Sequence, residues 1–569
     1  MKKIRFNLVL FVLALAVLSS CGGLNKMRDN APDVRYNVTP EVLEAHAGEV
    51  EVDIRGTYPA NYFHKKAIVE VTPVITYEGG ETVLSSVTMQ GENVTDNHQV
   101  ISNDGGSFTY TDKVPFTEDM RVSELIVRVK ASMGNNEVDF DPRKIADGVI
   151  ATSTLVVNDP KPVMVGDKFQ RIVPETKESA IFYVINRANV RQSELRSDRM
   201  EEFREFLAKA AEDERIEMKS IGINAYASPD GPIDFNERLA RQREETSDRV
   251  LTSELNSVNI EKKENFYNTK ALGEDWEGFR ALMEESDIQD KELILRVLSM
   301  YSDPKVREKE IKNISAAFEE IADEILPKLR RSEMTVNVEL IGYTDDELMD
   351  IYSSDPSELN LEEILYTATL YQDLNKKLEV YTNAAQHYPK CFRAYNNIGA
   401  VQVKLGNSSA AKQAFQSARN LSDNDVVKNN LGAVALMEGN IDEAEEYFTS
   451  VASPSRETNY NLGIIAVKKG DYAKAAGHFG NMPEVNTALV KMLQGNNDDA
   501  QRILNSIEEP GAMVYYLRAV IGARKQDSSM AFDNLRTAVG QDASLKELAK
   551  TDMEFGRYFQ DDTFTSIVD

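Results

Sequence analysis

Cysteine is nearly absent from this chain of 569 residues; only Cys21 and Cys391 occur. There is no C-x-x-C pair, which excludes a thiolate metal site of the usual spacing. Histidine is scarce too. The five, His46, His64, His98, His387 and His478, are scattered and form neither H-x-x-x-H nor H-E-x-x-H. No metal and no cofactor is expected. Positive charge is in deficit: 65 Lys and Arg stand against 93 Asp and Glu, a net charge of −28. Such a chain has no general attraction for polyphosphate, so nucleic acid is not an expected partner. Phosphate loops and the G-x-S-x-G elbow are missing. Ser409 and Lys412 fit S-x-x-K and Ser422-Asp423-Asn424 fits S-D-N, but both fall within one helical repeat and no K-T-G follows. The chain is expected not to be an enzyme. Long apolar runs are missing but for one, Phe6 to Val17, behind Lys2, Lys3 and Arg5. That run is too short to span a membrane comfortably and has the form of a signal sequence.

Leu18-Ser19-Ser20-Cys21 follows the apolar run directly. This resembles a bacterial lipobox. The resemblance implies a signal peptide over 1–20, removal of that peptide, and a diacylglycerol on the Cys21 thiol with a further acyl chain on the new N-terminus. Several acyl chains together anchor firmly to a membrane. With Cys21 lipidated, Cys391 has no partner for a disulfide. Residues 21–34 read as a polar tether. They carry no acidic run directly after Cys21, which in Bacteroidota-type lipoproteins implies an outer-membrane anchor facing the periplasm.

From 35 to 158 the pattern is that of strands. Val50 to Arg55, Ala67 to Tyr77 and Leu125 to Lys130 alternate apolar and polar residues, and Tyr58-Pro59, Gly79-Gly80 and Gly105-Gly106 mark turns. An antiparallel β-sandwich of about immunoglobulin size is expected. The run from Arg55 to Glu81 resembles the N-terminal part of Bacteroidota outer-membrane proteins that carry a divergent OmpA-like domain. Asp159-Pro160-Lys161-Pro162 reads as a linker.

The next segment, 170–345, contains strand signals at Ala180 to Ile185, Ile216 to Ala225 and Met334 to Ile341, with an amphipathic helix over Asp198 to Ala211. After the second strand, the turn Ser228-Pro229-Asp230-Gly231 leads into a helix. Asp234 and Glu237 have capping-box spacing, and Asn236 and Arg243, seven apart, share a face. A turn feeding a helix N-terminus, with a guanidinium two turns along, suits a carboxylate. The order strand, helix, strand, turn, helix, strand, with N-x-x-L-x-x-x-R at Asn236, Leu239 and Arg243 and Arg330-Arg331 before the last strand, resembles the OmpA C-terminal-like domain. This α+β family holds the peptide stem of peptidoglycan. The resemblance implies that Arg243 clasps a diaminopimelate carboxylate. Ser228 stands where the family has the Asp that takes the ammonium, and Asp230 lies two residues on, behind Pro229. A helical insertion over 252–331 also departs from the family.

The rest of the chain repeats. Gly399 and Gly432, Ala411 and Ala444, and Phe415 and Phe448 are each 33 apart, and Gly463, Ala475 and Phe479 follow 31 later. Turns recur at Gly406, Gly439, Gly470 and Gly495. This resembles the tetratricopeptide repeat, an α-solenoid expected over 355–540, with a weak first unit from Leu361 to Tyr388 and a capping helix and tail over 541–569. Asparagines recur on the first helices, Asn397, Asn430 and Asn461 among them. They can face the groove and hold a partner's backbone, or remain solvated.

These readings together give a multidomain, non-catalytic lipoprotein scaffold. It would be anchored through Cys21, bind peptidoglycan through Arg243, Asp230, Asn236 and Ser228, and recruit an unknown protein at the repeats. The alternative is an accessory subunit of an outer-membrane secretion, gliding or fimbrial assembly that binds only protein.

Overall fold

The chain builds one unit, leaves it to build a second, and returns to finish the first. The computed structural model describes residues 22–261 and 266–569. One unit takes the chain up to Val165 and resumes over Asp373–Asp569; the other is Gly166–Gln372.

The first unit opens with helix α1 (22–29). Leu24 and Met27, three apart and therefore on one face, are 0% and 2% exposed in the core of the strands that follow. Residues 22–34 of the expected tether are thus docked, because two apolar side chains find a buried place. The strands are β1 (Arg35–Thr39), β2 (Val42–His46), β3 (Glu49–Tyr58), β4 (Ile68–Tyr77), β5 (Gly80–Val83), β6 (Val87–Gly91), β7 (Gln99–Ile101), β8 (Gly106–Pro115), β9 (Ser123–Met133), β10 (Asn136–Asp139) and β11 (Arg143–Ile150). The order is β1-β3-β2-β11-β9-β4-β6-β7, with β8 on β3, β5 on β4 and β10 on β9. Strand β2 joins two groups, pairing antiparallel with β3 and parallel with β11. Both groups feed one core: Val50, Val52 and Ile54 of β3 and Phe108 of β8 lie with Val69 and Val71 of β4 and Leu125 and Val127 of β9. The alternation seen in β3 is therefore the inside-outside pattern of a half-buried strand. The last strand ends at Ile150, not at the expected 158.

The second unit contains β12 (Ile172–Phe182), α2 (Gln192–Leu195), α3 (Asp198–Glu212), β13 (Ile216–Ala227), α4 (Ile233–Ser257), β14 (Tyr267–Glu274), α5 (Trp276–Glu285), α6 (Lys291–Met300), α7 (Pro304–Asn313), α8 (Ser315–Glu320), α9 (Leu326–Leu329), β15 (Arg331–Ile341), α10 (Asp345–Ser354) and α11 (Leu361–Leu370). The sheet runs β12-β15-β13-β14; β15 is antiparallel to both its neighbours and β14 is parallel to β13. Phe203 and Leu207 of α3 and Leu251 and Leu255 of α4 pack with Ile221, Ile223, Met334, Val336 and Val338. Two expectations change here. The segment 252–331 is not wholly helical, since β14 lies within it. That strand forms an edge, and among its residues only Gly273 is buried, so it has no apolar alternation to read. The capping box is also absent: α4 begins at Ile233 behind Pro232, without a side-chain cap. Helices α5 to α9 form a separate small core around Phe279, Met283, Ile294, Leu298 and Ile325.

The first unit resumes with α12 (Leu374–His387), followed by α13 (Phe392–Lys404), α14 (Ser408–Leu421), α15 (Asp425–Met437), α16 (Ile441–Thr449), α17 (Arg456–Lys468), α18 (Tyr472–Phe479), α19 (Val485–Leu493), α20 (Asn497–Asn505), α21 (Ala512–Arg524), α22 (Ser528–Gln541), α23 (Leu545–Thr551) and α24 (Asp562–Val568). Each turn glycine, Gly406, Gly439, Gly470 and Gly495, has φ between 76° and 80°, the left-handed conformation that stops a helix. Gly399, Gly432 and Gly463 each lie against the ring of the phenylalanine in the paired helix. Two boundaries of the expected array shift. Helices α10 and α11 belong to the other unit, so the stack begins at α12. The segment 541–569 is not a free tail, because Phe555, Phe564 and Val568 are at most 3% exposed in the last repeat's core.

Candidate functional site

In the first unit, four asparagines occupy one position on successive first helices. Asn397, Asn430, Asn461 and Asn486 each precede the turn glycine of their repeat by nine residues, as 397 precedes 406. All four are at most 1% exposed. A buried amide needs partners for both its N–H2 and its C=O. Here both partners come from a single residue of the chain's own segment after β11.

The N–H of Val165 donates to Asn397 Oδ1 at 2.9 Å, and Asn397 Nδ2 donates back to Val165 O at 2.9 Å. Asn430 grips Val163 in the same way at 2.7 and 2.8 Å. Asn461 grips Lys161 at 2.7 and 2.9 Å. Asn486 grips Val157 at 2.8 and 2.8 Å. The strap runs opposite to the order of the repeats. A second row strengthens it: Asn396 Nδ2 reaches Val163 O at 3.0 Å and Asn429 Nδ2 reaches Lys161 O at 3.3 Å. The amides also join one another, Asn430 Nδ2 to Asn396 Oδ1 at 2.8 Å.

In the third repeat Tyr460 takes the place of the second-row asparagine. Its hydroxyl donates to Asp159 at 2.7 Å and accepts from Asn486 Nδ2 at 3.0 Å. Burial, and then the Asp159 charge, raise the phenol far above its ordinary pKa, so it remains a donor. Lys161 pairs with Asp159 at 2.7 Å and lies over the Tyr460 ring at 4.9 Å. Pro160 and Pro162 fall between clamped residues, where no N–H is required, and they hold Asp159 and Lys161 extended. Met164, Val156 and Leu155 pack against the helices. The Asp159 to Pro162 stretch is therefore a bound strand rather than a free linker.

The second unit gathers the residues picked out around Ser228. Asn236 is 3% exposed, and its Nδ2 donates to Ser228 O and Gly231 O, each at 3.1 Å, and to Glu274 Oε1 at 2.9 Å, fixing the turn on the helix. Ser228 Oγ donates to Asp230 Oδ1 at 2.7 Å. Arg330 donates to both, through Nε to Ser228 Oγ at 3.2 Å and through Nη2 to Asp230 Oδ2 at 3.1 Å. The turn carboxylate thus already holds a cation, supplied by the first residue of the Arg330-Arg331 pair. Arg243 is not on an open face. It is 0% exposed and donates through Nε to Arg187 O at 3.1 Å and through Nη1 to Tyr226 O at 2.7 Å, with its guanidinium 5.0 Å from the Tyr183 ring centre. Burial draws its pKa down to about 10; Tyr183 and Asp230 oppose that fall, and the Arg330 charge adds to it. Its Nη2 has no hydrogen-bond partner.

Cys21 lies outside the described residues. Cys391 is a free thiol, partly buried. Among the described residues, no cluster of three or more His, Cys, Asp or Glu could hold a metal, and no helix is long and apolar enough to cross a membrane. Sequence reasoning missed Asn486, Tyr460 and Arg330. The nine-residue offset from Gly495 was a signal for Asn486; the Arg330-Arg331 pair was marked, but not its bond to Asp230; nothing local marked Tyr460.

The tetratricopeptide-repeat family matches residues 392–425, helices α13 and α14. The C-terminal region therefore carries a tetratricopeptide repeat, in a multidomain chain with a β-rich N-terminal region. Similar solved structures include a tetratricopeptide repeat protein from Parabacteroides merdae, 19% identical over 37% of this chain and 91% of that one, with a TM-score of 0.30. Others are PilW, a type IV pilus biogenesis factor, 16% identical over 40% and 96% with a TM-score of 0.26, and the Cut9–Hcn1 complex, 17% identical over 40% and 46% with a TM-score of 0.32. No curated protein matches the sequence.

Proposed function

We propose that this chain is a non-catalytic, lipid-anchored scaffold of the bacterial cell envelope that works by binding protein. The repeat stack carries this reading, since stacked helix pairs offer extended surfaces and repeats of this kind serve protein interaction. The lipobox at Cys21 supports an anchor in the outer membrane, on the periplasmic side. It is tested by Cys21→Ser, which should move the protein into the soluble periplasmic fraction; retention in the membrane would place the anchor elsewhere.

The second unit supports the OmpA-like reading through its order of strands and helices, with β14 added. Its candidate site favours protein binding over the cell wall. Ser228 stands where the OmpA-like family has a carboxylate, Asp230 is paired with Arg330, and Arg243 is enclosed. One observation favours peptidoglycan: Arg243 Nη2 is a buried cationic N–H with no partner, which a carboxylate would satisfy. Arg243→Ala is a poor test, since it strands the Tyr226 and Arg187 carbonyls and opens a cavity. The clean test incubates the wild-type chain with purified sacculi. It should stay in the supernatant; sedimentation that a soluble stem peptide reverses would restore the cell-wall reading.

A further inference from the structure

We propose that the concave face of the repeats is a peptide-binding groove now filled by the chain's own residues 155–165, and that it accepts an extended segment of another protein when this strap is out. The inference rests on the reading of the repeats as a protein-binding element and names the site and the class of ligand.

Three features carry it. First, the four clamps use only main-chain atoms of the strap, at Val157, Lys161, Val163 and Val165. Recognition of this kind fixes register and extended conformation but not side-chain identity, so other sequences can satisfy it. Second, within the repeats the asparagines bond only to one another and, at Asn486, to the Tyr460 hydroxyl. The packing is done by the glycine, alanine and phenylalanine positions on the opposite side. Without a peptide, the four amides lose their paired main-chain bonds and keep only the links to neighbouring amides and to Tyr460, so they stand ready for another extended strand. Third, the strap is a ligand by tethering. It is joined to β11 and so is present at a high effective concentration, on the order of millimolar for a short connection. A partner therefore has to match the same backbone pattern: extended, with free N–H groups at the register of 157, 161, 163 and 165 and with proline permitted at 160 and 162. The pair formed by Asp159 with Tyr460 and Lys161 gives some preference for an acidic residue at the 159 register.

The test uses the full chain and a fluorescent synthetic peptide of residues 153–167. The variant Lys161→Pro/Val163→Pro removes two strap donors while leaving every groove residue intact. The wild type should bind the peptide poorly, and the variant at least about tenfold more tightly. Adding Asn430→Ala and Asn461→Ala to the variant should abolish binding, and a peptide with proline at the 161 and 163 registers should not bind. If the strap variant does not fold alone, the peptide added in trans should restore its helical circular dichroism and cooperative unfolding. A folded variant that binds no better than wild type, or an unfolded one that the peptide does not rescue, overturns the proposal. Either result leaves open the recruitment of protein by other faces of the repeats, which the peptide does not probe.

Discussion

Asparagine and aspartate, buried in the repeats, show how the environment sets a side chain's task. The groove asparagines are neutral at every pH and can donate and accept together, which suits a backbone amide. Asn459, two residues before Asn461 on the same helix, turns instead to its own helix and donates to Ser455 O. The two differ only in which side of the helix they face. Asp552 is 2% exposed, accepts from the Tyr516 hydroxyl at 2.8 Å and from the N–H of Glu554 at 3.0 Å. Burial, with the Glu554 charge adding, pushes its carboxyl up to about 6. The unfolded value is about 3.9. The folded state therefore binds this proton more tightly; the stability it contributes is fully present below about pH 4 and lost as pH rises through about 6. Asp552→Asn does not ionise; its Oδ1 still accepts from the N–H of Glu554, and its Nδ2 donates to the Tyr516 hydroxyl in place of accepting from it. Relative to wild type, its stability should improve between pH 4 and pH 7 by up to about 3 kcal/mol, read from urea midpoints. Parallel pH profiles for the two proteins would refute this.

Within one helix pair, glycine has opposite values at two positions. A Cβ on Gly463 of α17 would stand 2.5 Å from the ring of Phe479, which is fully buried on α18. The ring has nowhere to go, so Gly463→Ala should cost about 1–3 kcal/mol. Gly477, on the exposed side of α18, has open space around it, and an added methyl group would meet nothing within 4 Å. There alanine only removes unfolded-state freedom, and Gly477→Ala should stabilise by about 0.5–1 kcal/mol. Thermal unfolding of the two variants should move in opposite directions. The same close approach recurs at Gly399 with Phe415 and at Gly432 with Phe448, which is why the repeat period can be read from glycine, alanine and phenylalanine together. The strand β14 is the counter-example. Its register with β13 depends on main-chain bonds, and its side chains record no periodicity.

At the scale of the molecule, the connectivity is that of an insertion. The chain leaves the first unit after Val165, clamped on α13, and re-enters at Asp373, just before α12, so both crossings occur at the start of the stack. Replacing 166–372 with a Gly/Ser linker of about a dozen residues, with a reach of roughly 20 Å, should leave the first unit folded. Calorimetry of the full chain should show a transition that persists in the deletion and one that disappears. Loss of all cooperative unfolding in the deletion would show that the first unit depends on the second.

The sequence by itself determined the β-rich start, the strands flanking the Ser228 turn, and the helical period of the C-terminal region, because each is written as a local apolar pattern. It also located three of the four clamping asparagines, though not what they hold. Only the tertiary structure decided the occupant of the groove, the pairing of Arg330 with Asp230, and the enclosure of Arg243. These depend on residues brought together from distant parts of the chain: 163 with 430, 230 with 330, and 243 with 187. A local pattern records which face of an element is buried; it does not record what covers that face.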